Sequence, residues 1–259
     1  MKPFMRISII TFLVCFFISK NLGAEVSLDA TGGLSSQAVA KPLILLFLLI
    51  GITLLPFILM MTTSFVKIAT VLALVRNGLG TQQIPPNTII TGLAMILTIY
   101  VMIPVGIDMY NSAGATINKG TDQPLLSGAT MQLVTQAIGE AQEPLRGFLV
   151  KHAHAKELDL FLNLAKKMRK PEDRDKLTDK NFEILIPSFV ISELSEAFQI
   201  GFVIFLPFLV LDVVVTNILL SLGMFQVSPV TVAMPFKLLL FVMVDGWHLI
   251  AKGLVLGYT

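Results

Sequence analysis

"EILIPSFVISELSEAFQIGFVIFLPFLVLDVVVTNILLSL", residues 183–222, decides what kind of chain this is. As a straight helix from Phe182 to Leu222 it is about 60 Å long, twice the ~30 Å depth of a bilayer's hydrocarbon core. It is therefore either a hairpin or one long helix lying partly outside lipid, with Pro187 and Pro207 as the expected bends. Three more apolar blocks accompany it: "KPLILLFLLIGITLLPFILMM" (41–61), "TIITGLAMILTIYVMIPVGIDMY" (88–110) and "VTVAMPFKLLLFVMVDGWHLIAKGLVLGYT" (230–259). The expected fold class is all-α: a multi-pass helical membrane protein of long, proline-bent helical hairpins. A polar helical domain is inserted between its two pairs of apolar segments.

Composition agrees. Apolar residues make up 54% of the chain and charged residues only 14%, against about 25% charged in a soluble domain. A net charge of +2 gives no electrostatic footprint for nucleic acid. Of the 36 charged side chains, 21 fall between Asn111 and Glu183, so one region meets water and the rest meets lipid or protein. The organisation read from this is a cleavable signal peptide over 1–24 and a flexible segment over 25–40. A first helical pair with a basic loop covers 41–110, a polar periplasmic domain 111–183, and a second long pair 184–259. In the signal peptide, Lys2 and Arg6 precede the apolar run Ile7–Ile18, and Leu22-Gly23-Ala24 offers a cleavage point. An uncleaved anchor is the alternative. The one cysteine, Cys15, lies there, so cleavage would leave a mature chain without thiol or disulfide chemistry.

Glycine and proline punctuate the rest. Gly78 and Gly80 favour a helix end, Pro85-Pro86 enforces a break, and Gly223 and Pro229 bracket a short uncharged turn. Leu145, Phe148 and Leu149, then Leu158, Phe161 and Leu162, have the spacing of surface helices with one apolar face. Arg169–Asn181 reads as a charged solvated turn. Cleavage of the signal peptide would leave the new N-terminus outside. Four crossings would then put Lys67 and Arg76 inside, residues 111–183 outside, the 223–229 turn inside and the C-terminus outside.

No enzyme motif occurs in the chain. His152 and His154 are two residues apart on a helix and do not share a face. Ser64, Asp245 and His248 form a set only on paper. The charges inside apolar blocks carry more information: Glu193, Glu196, Asp212, Lys237 and Asp245. An ionised group facing lipid costs several kcal/mol, so these face protein, a partner or a water-filled path. Glu193 and Glu196 share a helix face, and Lys237 has Asp212 or Asp245 as its natural partner. Pro-Phe recurs at Pro56, Pro207 and Pro235, with Pro104 alone, and each proline removes an intrahelical bond. These bends suit curved packing around an axis, a transporter with broken helices, or plain kinks without a role.

Three stretches go further: "PFILMMTTSFVKIATVLALVRNGLGTQQIPPN" (56–87), "AFQIGFVIFLPFLVLDVVVTNILLSLGM" (197–224) and "SPVTVAMPFKLLLFVMVDGWHLI" (228–250). Over roughly 41–257 the chain resembles the FliP/SctR family, the export-gate subunit of flagellar and virulence type III secretion systems. The resemblance implies five copies joined by two smaller membrane proteins in a helical cone. That cone lies in the inner membrane's basal body beside the large export-gate protein and the basal-body ring. Unfolded substrates pass along its axis, it seeds assembly of the rest, and much of it stands above the bilayer. No cofactor is implied. The family's methionine-rich gating loop matches Met224, Phe225 and Gln226, of which only the first is methionine. Lys67 and Arg76 match a positive region near the basal opening, where lipid headgroups or neighbouring subunits are the expected contacts. Glu193 and Glu196 match candidates for ion pairs with the small partner proteins. The signal peptide points to the flagellar branch and the methionine-poor loop away from it. A solute transporter and a scaffold that lines no path are the competing classes.

Overall fold

The computed structural model describes residues 36–81, 84–117 and 128–259. The expected signal peptide with Cys15, most of the 25–40 segment and residues 118–127 of the polar domain lie outside these. Among the described residues all regular structure is helical. The chain divides into two compact units, Met1–Thr53 and Leu54–Thr259, within helix α1 (Ser36–Thr62). The described part of the first unit is the opening of α1, with Leu49, Ile50 and Ile52 exposed.

In the second unit, α1 ends at a Thr-Thr-Ser run. The Thr62 and Thr63 hydroxyls donate to the carbonyls of Ile58 (2.9 Å) and Leu59 (2.8 Å). Those hydroxyls satisfy carbonyls that a helix end leaves orphaned, and the axis turns by 70° before α2 (Phe65–Gly78). Gly80 follows at φ +71°, and Pro85-Pro86 leads into α3 (Asn87–Ile117). Then come α4 (Gly128–His152), α5 (Ala155–Met168), a 3₁₀ turn (Pro171–Lys176), α6 (Phe182–Ser221), α7 (Pro229–Met243) and α8 (Gly246–Leu256).

Of the two forms open to residues 182–222, the structure takes the single helix, 40 residues long. Pro56, Pro104, Pro187, Pro207 and Pro235, the expected bends, all lie within continuous helices. The sharp breaks fall at the Thr-Thr-Ser run and between α7 and α8, where the axis turns by 59°. Asp245 adopts the left-handed conformation there at φ 50°. Gly246 follows it, and a Cβ on Gly246 would come within 2.3 Å of the Phe241 ring, so only glycine fits without repacking.

Helix α2 runs parallel to α6. Lys67 meets Glu193 and Glu196, Leu74 meets Gly201, and Gly78 lies against Phe205 and Phe208. Ile68, Val71, Leu72 and Val75 of α2 form a core with Ala197, Phe208, Phe241 and Ile250. A second cluster joins Phe148 and Leu149 of α4 to Leu185 and Phe189 of α6 and to Tyr258. Helix α5 lies antiparallel on α6, between the His154–Ser192 contact and the Arg169–Glu183 ion pair at 2.5 Å. Lys176 pairs with Asp173 at 2.9 Å in the charged turn.

Among the described residues, much apolar surface has no cover. Only 17% of the most apolar window of α3, and the same share for α6, is buried. Ile96, Ile99, Ile103 and Ile107 of α3 and Phe198, Phe202 and Val210 of α6 all face outward. Among the described residues, two helices are long and apolar enough to cross a membrane, or up to four if each bent pair is one span.

Candidate functional site

Lys67 is 2% exposed on a helix whose other inward residues are aliphatic. Its ammonium lies 3.1 Å from Glu193 Oε1 and 2.5 Å from Glu196 Oε2, and 4.4 Å from the centre of the Tyr258 ring. Glu193 is fully buried, and its Oε1 has no hydrogen-bond partner beyond this ion-pair contact. Its Oε2 accepts from the Tyr258 hydroxyl. At the rim, His154 Nε2 lies 2.7 Å from Glu196 Oε1, while its backbone N–H donates to Ser192 Oγ at 2.9 Å. Three chain regions distant in sequence thus converge on one end of α6. Removing charges from water costs several kcal/mol per ion, and pairing with added hydrogen bonds offsets it. Burial, then the Glu193 carboxylate, pushes the Tyr258 phenol upward. Burial, then Lys151 and Lys67, pushes His152 down to about 4.

A second pair sits further along α6. Lys237 of α7 donates to Asp212 Oδ2 at 2.6 Å, so of its two expected partners Lys237 takes Asp212 and not Asp245. Gly80 lies close by: a Cβ there would be 3.8 Å from the Lys237 ammonium. Arg76 donates to the Asn87 side chain across the turn between α2 and α3. Asp245 is exposed at the α7–α8 bend, as is His248, whereas Ser64 is fully buried, so the paper triad is not assembled.

Helix α6 ends on a glycine cap. Gly223 adopts φ +73°, Met224 N–H donates to Leu219 O, and Gly223 N–H to Leu220 O, both at 3.0 Å. This cap projects Met224, Phe225 and Gln226 from the α6–α7 hairpin, with Phe225 76% exposed.

Residues 48–254 match the model of the FliP family. The chain belongs to the FliP family. It is similar to the Yop proteins translocation protein R of Yersinia pestis, at 45% identity over 83% of this chain and 95% of the relative. It is likewise similar to the flagellar biosynthetic protein FliP of Bacillus subtilis, at 43% over 86% and 94%. The hypersensitivity response secretion protein HrcR of Ralstonia nicotianae matches at 42% over 83% and 96%. The FliP-family match takes in Lys67, both glutamates, Asp212, Lys237 and the 224–226 loop. Tyr258 stands just beyond it.

Glu193, a candidate for an ion pair with a partner protein, pairs inside this chain with Lys67 and Tyr258. One expectation changes. The four-crossing topology put Lys67 on the opposite side from His154 and Tyr258. The structure brings all three to one cluster, and a ~30 Å hydrocarbon core cannot separate groups in contact. After the 70° turn at the end of α1, Lys67 lies toward the polar region's end of α6, and the end of α2 carrying Arg76 reaches the middle of α6. Sequence reasoning missed His154 and Tyr258 as cluster members. The tyrosine's isolation after an apolar block was its only signal.

Proposed function

We propose that this chain is a pore-forming core subunit of the type III export gate. It provides the opening through which unfolded substrates cross the inner membrane, and it nucleates assembly of the export apparatus. The observation that carries this reading is membership of the FliP family over residues 48–254, joined to long helices whose apolar faces find no cover among the described residues. Such faces are buried either in lipid or against other subunits. The proposed assembly has five copies with two smaller membrane proteins, standing in the basal body with a large periplasmic portion. The large export-gate protein and the basal-body ring flank it. In that ring the 224–226 loop is the gate, with Phe225 as an apolar plug. A relative with a flagellar name and one named for Yop protein translocation match at nearly equal identity, 43% and 45%, so the proposal concerns the shared gate and not one system.

Coexpression with the neighbouring export genes, gentle extraction and native mass spectrometry test it. Five copies with small hydrophobic partners are expected. A monomer or dimer under the same conditions would overturn the proposal.

A further inference from the structure

His152 occupies an unusual place beside the buried ions. Its ring lies 4.8 Å from Phe148 and 4.9 Å from Tyr258, centre to centre, and Phe148 stacks on Tyr258 at 6.0 Å. Tyr258 in turn is the point at which the segment after α8 is tied to the rest, through Glu193 and the Lys67 ammonium. Cations surround the imidazole on two elements, Lys151 beside it on α4 and Lys67 on α2. Lys151 is itself drawn over the same segment, donating to the Thr259 carbonyl at 3.3 Å. The anions facing this group are Glu196 and Glu193 on α6, and Lys67 already holds both. His154, the remaining titratable neighbour, turns its ring to Glu196. An imidazolium here would lose part of its hydration and add a third cation to a place whose carboxylates are engaged.

We propose that His152 makes the docking of Tyr258 an acid-sensitive clasp, closed while the imidazole is neutral and loosened when it takes a proton. The sign follows from the neighbours. The docked state disfavours the charged ring, so the undocked state binds more protons below the ordinary histidine range, and docking weakens as pH falls from about 6.5 toward about 4. Release would break the Tyr258 contacts with α4, α2 and α6 together, and leave the Lys151–Thr259 hydrogen bond and the buried Leu254 in place. The device responds to acid on whichever side of the membrane the cluster faces, and it does not depend on the export-gate reading.

Hydrogen–deuterium exchange of the full chain in detergent, corrected for intrinsic rates, tests it at pH 7.5 and pH 5. Protection of amides 254–259 is expected to fall on the order of tenfold at the lower pH. His152→Phe keeps the ring packing without a titrating nitrogen. It should flatten that change, although Glu193 and Glu196 still titrate. His152→Lys should lower protection at both values. An unchanged pH response in His152→Phe, or none in the native chain, would overturn the proposal.

Discussion

A lysine stem can lie among aliphatic side chains, but its ammonium cannot do without partners. Lys67 follows this rule, with two carboxylates and an aromatic face closing around it at 2% exposure. Lys67→Met should cost about 3–5 kcal/mol of stability, because it leaves Glu193 buried without its counter-ion. Combining it with Glu193→Gln should restore most of that loss, as reversible unfolding in detergent would measure. If the double variant is no better than the single, the cost lies in packing and not in charge. Legibility at this scale was uneven. Glu193, Asp212 and Lys237 stood out as charges in apolar runs, and Lys237 could be narrowed from the sequence to Asp212 or Asp245. Lys67 could not be paired with Glu193, since helical spacing relates only residues three or four apart and says nothing of contacts between distant helices.

Helix boundaries were written in glycine and proline, and Gly78, Gly80, Pro85-Pro86, Gly223 and Pro229 stand where the elements stop and start. The sharp breaks were written elsewhere. Proline removes a hydrogen bond, yet at Pro56, Pro104, Pro207 and Pro235 the helix continues on both sides. The Thr-Thr-Ser run and the Asp-Gly pair break the helix because they supply alternatives to the ladder, side-chain hydroxyls in one case and a left-handed turn in the other. Between α2 and α6 the deciding residue is Gly201, where a Cβ would stand 2.3 Å from Leu74 Cδ1 and 3.2 Å from its Cβ. The leucine tip can rotate away, but its Cβ cannot. Gly201→Ala should therefore destabilise the chain by about 1–3 kcal/mol. Leu74→Ala in the same background should recover part of this in a thermal unfolding series, and no loss on the first substitution would contradict the close approach.

For the whole molecule, the uncovered faces of α3 and α6 place the chain in lipid or in an assembly, and composition alone announced as much. Sidedness was not legible, because charge bias assigns loops and cannot foresee a 70° turn after which Lys67 lies toward the polar region. In an assembled gate, the exposed 224–226 loops of several copies would converge. An aromatic ring and a glutamine seal less closely than flexible thioethers that fill irregular gaps. Replacing Phe225 and Gln226 by methionine should lower ion leak through the closed complex, measured as single-channel conductance. Equal leak would show that bulk alone closes the gate.

The pairing of Lys67 with Glu193 also sets a timetable for manufacture. Its carboxylate partner is synthesised roughly 125 residues after the lysine, which at about 5–20 residues per second is on the order of ten seconds. Throughout that interval the nascent α1–α2 segment carries a cation with no carboxylate of its own, so burial of Lys67 among apolar side chains has to follow the synthesis of α6.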